Sequence, residues 1–186
     1  MKKSVLALML VLGCCGIGFA QKSKQATAQE KKDLFQLILK DKNVREALTD
    51  LEGGELEGGE KELAKSFSVE KKDLNKDAQP EYLATLDNGF LCGAHANCPR
   101  WVFRKTGNGY RLLLTTAGED LTTQKTLSNK FFDLRSEGSN SAVEYSYSIY
   151  KFDGSEYQKT DCFTVNNEKK KPKTTRVQCQ EWRFQN

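Results

Sequence analysis

The chain has 186 residues, 38% of them hydrophobic, and 29 Lys and Arg stand against 25 Asp and Glu for a formal net charge of +4. That is the size of one globular domain. Lys2 and Lys3 supply two of those charges, so loss of the leader leaves +2, a balance too mild to imply a nucleic-acid partner.

The leader comes first. Lys2 and Lys3 form a short basic region, Val5 to Leu12 is apolar, and Gly18-Phe19-Ala20 offers small residues at both positions a signal peptidase reads. Residues 1–20 are therefore expected to be a signal peptide, with Gln21 as the new N-terminus. The apolar segment is too short to anchor the chain across a bilayer. Val11-Leu12-Gly13-Cys14 also resembles a bacterial lipoprotein box, which would put a lipid on Cys14 and make this an envelope protein held at the membrane. Both routes export the chain, to the periplasm or beyond.

Residues 21–30 are polar and expected to be flexible. From Lys31 to Leu51, Leu34, Leu37, Ile38, Val44, Leu48 and Leu51 recur near a 3.6-residue period, which predicts an amphipathic helix packed on a sheet. Leu51-Glu52-Gly53-Gly54-Glu55 is repeated at once as Leu56-Glu57-Gly58-Gly59-Glu60, and reads as a glycine-rich linker reaching to about residue 62.

A β domain is expected over 63–186. The period changes to two at Ala64, predicting a strand to Lys72 and a second over Tyr82 to Leu86. Trp101 to Arg104 and Tyr110 to Leu114 flank Thr106-Gly107-Asn108-Gly109, whose Asn-Gly pair signals a hairpin. Further strands are predicted over 131–135, 143–152, 157–165 and 175–184, with a turn at Asp153-Gly154. Val143, Tyr145, Tyr147 and Ile149 share one face. Such a stripe serves as a glycan or protein platform in some sheets, but is expected here to be the inner face. The alternation breaks at Tyr150 and Phe152, which predicts a bulge. The fold class is mainly β, an antiparallel sandwich or incomplete barrel with one N-terminal helix, α+β overall. Lys169-Lys170-Lys171-Pro172-Lys173 reads as a solvated hairpin tip that discourages edge aggregation.

Apart from Cys14 and Cys15 in the leader, the cysteines are Cys92, Cys98, Cys162 and Cys179. Four cysteines in an exported chain suggest two disulfides; three connectivities are open, and sequence proximity favours Cys92–Cys98 and Cys162–Cys179. Cys92, His95 and Cys98 also carry metal-ligating groups, but their spacing is not a standard finger pattern and an oxidising compartment favours the disulfide.

The most specific stretch is Asp73-Leu74-Asn75-Lys76-Asp77-Ala78-Gln79-Pro80-Glu81. Asp73, Asn75 and Asp77, two residues apart, can wrap side-chain oxygens around one hard cation, with the Gln79 carbonyl and the Glu81 carboxylate completing the shell. The pattern, with Phe67-Ser68-Val69 before it and an apolar strand after it, resembles the calcium loops of FG-GAP/VCBS-type repeats over residues 67–86. That resemblance implies Ca²⁺ held as a structural staple by Asp73, Asn75, Asp77, Gln79 and Glu81. Ala78 stands where that family usually has glycine, and would meet a positive-φ penalty of about 1 kcal/mol. Position twelve of the loop is Ala84, so it is not an EF-hand.

No nucleophile elbow, paired-histidine zinc helix or phosphate-binding glycine loop occurs in the sequence, and His95 is its one histidine. An enzyme is therefore not expected, although carboxylates distant in sequence could still pair in space. The expectation is an exported, non-catalytic binding or structural protein with a protein or glycan partner, meeting a membrane only if lipidated at Cys14. The alternative is a periplasmic inhibitor of lysozyme-type wall hydrolases, since Gly138-Ser139-Asn140-Ser141-Ala142-Val143-Glu144-Tyr145 is similar to the Ser/Gly-Ala-x-Tyr loop of bacterial lysozyme inhibitors.

Overall fold

A computed structural model describes residues 24–41, 44–45, 59–168 and 171–179. The expected leader, the Cys14 lipid site, residues 42–43 and 46–51 of the expected helix, most of the tandem glycine repeat, Lys169-Lys170 and the end of the last expected strand lie outside these residues. In chain order the elements are β1 (Lys24–Gln25), α1 (Ala28–Ile38), α2 (Gly59–Ser66), β2 (Phe67–Lys72), β3 (Glu81–Leu86), α3 (Gly89–Cys92), β4 (Cys98–Thr106) and β5 (Gly109–Gly118), then β6 (Asp120–Ser128), β7 (Phe131–Ser139), β8 (Glu144–Phe152), β9 (Tyr157–Asn166) and β10 (Lys173–Val177).

The strands form two antiparallel meanders, ordered β1-β2-β3-β4-β5 and β10-β9-β8-β7-β6. This is the expected β sandwich, built with open edges. The chain crosses between sheets at Gly118–Glu119, where a Cβ on Gly118 would lie 2.4 Å from the Glu137 carbonyl oxygen. Only glycine lets the two backbones approach that closely.

Helices cover one face of the first sheet, and the second sheet covers part of the other. Phe67, Val69, Tyr82, Ala84, Leu86, Trp101 and Phe103 pack against Leu34, Phe35 and Ile38 of α1 and Leu63 of α2. The opposite face sends Val102 and Leu114 into an intersheet core with Leu121, Phe131, Leu134, Tyr150, Phe152 and Tyr157. Helices over one face of a sheet whose other face meets a second sheet make an α/β/β layering.

Several expected boundaries move. The helix expected over 31–51 begins at Ala28, because Thr27 and Glu30 form a reciprocal capping box. Its continuous run stops at Ile38, where the Lys40 and Asp41 N–H groups turn back to the carbonyls of Leu37 and Ile38. The stretch taken as linker ends as α2, with Glu60 and Glu62 in its first turn and Lys65 in its last, matched to the helix dipole. The strand expected from Ala64 accordingly starts at Phe67.

The hairpin at 106–109 forms, with Gly107-Asn108 as the loop and positive φ at Gly109 alone. The Asp153-Gly154 turn forms as expected: Asp153 accepts the N–H groups of Ser155 and Glu156 at 2.7 and 2.9 Å, and Gly154 takes φ +110°.

The tyrosine stripe is on the wrong side for a core. Leu134 pairs with Tyr150 and both lie in the intersheet core, so the alternate pairs Arg135 with Ile149, Glu137 with Tyr147 and Ser139 with Tyr145 face outward. Tyr145, Tyr147 and Ile149 are half-buried. The expected bulge is present between Ile149 and Tyr150 in the β8–β9 pairing.

Candidate functional site

The β2–β3 connection carries all five expected loop residues, but the carboxylates of Asp73, Asp77 and Glu81 do not converge into a three-ligand group among the described residues. Asp73 accepts three backbone N–H groups, from Asn75 at 3.2 Å, Lys76 at 2.7 Å and Ala78 at 3.0 Å. The Asn75 side-chain oxygen accepts the Asp77 N–H at 3.1 Å, and Asp77 Oδ1 accepts the Gln79 N–H at 2.8 Å. Alternation of Asp, Asn and Asp thus becomes a series of side-chain-to-backbone turns. The coil forces positive φ on Lys76 (61°) and on Ala78 (66°), the strain anticipated at the missing glycine.

Between these polar residues, Leu74 plunges into the intersheet core with no exposed surface. Its N–H donates to Glu81 Oε2 at 2.8 Å, and its carbonyl accepts the Phe132 N–H at 2.7 Å. The loop therefore plugs one end of the sandwich, tying the first sheet to the second.

Glu81 is the electrostatic centre of this plug. It is fully buried, and burial raises its carboxyl to about 7 against the opposing pull of the Leu74 N–H and Arg104. Its Oε1 has no hydrogen-bond partner; the Arg104 Nε lies 3.7 Å away. Arg104 also donates to Asp77 Oδ2 at 2.9 Å and lies over the Phe131 ring. Arg104 was not legible in the sequence, because 27 residues separate it from Asp77 and only the β4 register brings it across.

The oxygens of Asp73, Asn75 and Asp77 thus accept the loop's own amides, while one buried Glu81 oxygen has no hydrogen-bond partner. The guanidinium of Arg104 is the charge already spanning Asp77 and Glu81.

Both proximity pairings of the cysteines are present. Cys92 and Cys98 are bridged with Cα atoms 4.0 Å apart, and Cys162 and Cys179 with Cα atoms 5.2 Å apart. The first loop carries a further fastening: the Asn97 amide accepts the Ser139 N–H at 3.0 Å and donates to the Ser139 carbonyl at 2.9 Å. A side chain clamped by the Cys92–Cys98 bridge therefore holds the end of β7, beside the 140–143 hairpin. In that hairpin the Ser141 hydroxyl accepts the Val143 and Glu144 N–H groups, while Val143 is exposed. His95 is exposed in the disulfide loop.

Two surfaces lie apart from these loops. On the outer face of the second sheet, Arg135 lies 4.0 Å from the centroid of the Tyr147 ring, which stacks on Phe163 at 4.8 Å. Ion pairs from Arg135 to Glu137 and from Arg176 to Asp161 flank this ladder. On the inner face of the first sheet, where the second sheet does not reach, a cleft of about 350 Å³ is lined by Ser68, Glu70, Thr85, Asp87, Arg100 and Asp120. Arg100 is committed within it to the Gly118 and Glu119 carbonyls and the Thr85 hydroxyl. Compared with known proteins, the chain matches no family model, no curated protein and no solved structure.

Proposed function

We propose that this chain is an exported, non-catalytic β-domain protein that binds a protein or glycan partner through the outer face of its second sheet. The observation that carries it is the half-exposed aromatic and cationic face of β8 and β9, displayed where a core stripe was expected. Aromatic rings with arginine at their side combine apolar area with directional hydrogen bonding, the composition enriched in recognition surfaces. The two disulfides support a destination outside the cytosol. The test is retention of the secreted protein on its own cell-envelope fraction. Saturable retention that falls with Tyr145→Ala is expected; no retention, or retention unchanged by that substitution, contradicts it.

Inhibition of a lysozyme-type hydrolase is the second reading, favoured by the exposed Val143 at the tip of the 140–143 hairpin. Undiminished lysis at stoichiometric excess of the protein discards it.

Calcium enters this proposal as a staple and not as a reactant. Asp73, Asn75, Asp77, the Gln79 carbonyl and Glu81 would hold it, supplying a partner for the orphaned Glu81 oxygen. Melting temperature should then rise saturably with Ca²⁺, by the equivalent of about 2.7 kcal/mol at one hundred times Kd. A melting curve indifferent to Ca²⁺ removes the ion and leaves Arg104 as the sole countercharge.

A further inference from the structure

We propose that the Cys92–Cys98 disulfide masks a soft-metal site, formed with Asp87, that opens when a thiol reductant cleaves the bond. Ligand atoms of Asp87, Cys92 and Cys98 all lie within 4.8 Å of one another, a three-ligand grouping that the carboxylates of the β2–β3 loop do not achieve among the described residues. Asp87 Oδ1 is 3.5 Å from the Cys98 sulfur and 3.8 Å from the Cys92 sulfur.

In the disulfide neither sulfur carries a proton, so these contacts are not hydrogen bonds. They become favourable only when the sulfurs are thiols that can donate, or thiolates sharing a cation with the carboxylate. Asp87 is exposed and the sulfurs' residues are almost wholly buried. A metal there would have an aqueous approach from the carboxylate side and a water-poor seat on the other.

Local architecture positions the three groups. Asp87 follows β3, with its N–H donated to the Ser66 carbonyl at 3.0 Å. Cys92 ends α3, with its N–H held by the Asn88 carbonyl at 2.9 Å, and Cys98 opens β4. Two of the three ligands thus stand at the ends of neighbouring paired strands, independently of the disulfide itself. His95, exposed in the intervening turn, is the nearest nitrogen donor in sequence for a fourth position, which water would otherwise fill.

The redox step balances with an external dithiol as reductant. Its two thiols become one disulfide, the Cys92–Cys98 bond breaks, and the two protons and two electrons transferred leave Cys92 and Cys98 as thiols. Zinc binding then releases those two protons, since thiolates are the ligands. Thiolate pairs with one carboxylate suit zinc over calcium or magnesium, because sulfur is a soft donor. Opening the bridge would also slacken the Asn97 clamp on Ser139, and metal binding would restore it.

Cobalt(II) is the spectroscopic probe. The purified protein, oxidised or reduced with a phosphine and desalted without air, is titrated with cobalt while thiolate-to-metal charge transfer is followed. One equivalent of that signal is expected in the reduced protein and none in the oxidised protein, with affinity reduced at least about tenfold by Asp87→Asn, the loss that even an outer-shell partner carries. The Cys162→Ser, Cys179→Ser double variant should keep the signal. As a second measurement that does not need a variant to fold, zinc should protect Cys92 and Cys98 of the reduced protein from alkylation, while Cys162 and Cys179 react. No charge transfer after reduction, equal signal before it, an undiminished Asp87→Asn titration, or zinc-independent alkylation of Cys92 and Cys98 would each overturn the proposal.

Discussion

Glu81 concentrates the tension in this molecule. A carboxyl with no exposed surface is anchored to one backbone N–H and faces a guanidinium at 3.7 Å instead of hydrogen-bonding it. Burial holds its folded pKa near 7, above the ordinary 4.5. Between those values the folded chain binds more protons than the unfolded chain, so stability falls as pH rises from about 4.5 to about 7 and the penalty then stays constant. The shift corresponds to roughly 3 kcal/mol. Glu81→Gln keeps the acceptor for Leu74 but cannot ionise, so it should flatten this part of the stability–pH curve and gain on the parent most at pH 8. Urea titrations across that range read the effect, and parallel curves for parent and variant would contradict it. Residue chemistry in the loop was partly legible in the sequence. Alternating Asp and Asn announced an oxygen-rich loop between two strands, and the absence of glycine announced strain at Ala78. What hid was Leu74: an apolar residue inside a polar motif gives no periodic signal, yet it is the part that seats the loop.

At the scale of elements, one carboxylate adds polar ties to the apolar packing of α1 on the first sheet. Glu30 accepts the Thr27 N–H at 2.8 Å and the Tyr82 hydroxyl at 2.7 Å, and pairs with the Lys71 ammonium at 2.5 Å. Burial works against ionisation there, but these partners win and hold the carboxyl down at about 2. Thr27→Ala removes the reciprocal half of the capping box and should cost about 1 kcal/mol in chemical denaturation, by loss of one satisfied helix N–H. No measurable change would mean that Glu30 alone caps the helix. On the second sheet, stacked Tyr147 and Phe163 act as a cross-strand pair. A double-mutant cycle to Ala should return a coupling of about 0.5–1.5 kcal/mol beyond the two single losses, and additivity would show the stacking to be incidental. Sequence periodicity placed Tyr145, Tyr147 and Ile149 on one face correctly but took that face for the inner one, because both faces of β8 carry apolar or aromatic groups near its end. β6 was missed for the opposite reason. Asp120–Ser128 has a single buried apolar residue, Leu121, and its density of Thr was the available signal. α2 was missed because glycines before it suggested a linker, while Leu63 alone marks its buried side.

At the largest scale, the described residues form two open-edged meanders joined at one glycine corner, with helices on one outer face and two covalent cross-links. Fold class was readable in advance because period-two segments and short turns leave few options; sequence proximity favoured the two cysteine pairings while three connectivities stayed open, and the strand order was not read. Partner surfaces were not, since they depend on which face each strand presents. The proposed destination outside the cytosol supports the binding, inhibitor and calcium readings above, and intact mass of the secreted protein before and after reduction tests it most directly. A chain beginning at Gln21 that gains four hydrogens on reduction is predicted, or one carrying a lipid on Cys14 with the same gain. Native protein recovered with residues 1–20 uncut and all four of Cys92, Cys98, Cys162 and Cys179 reduced would contradict it.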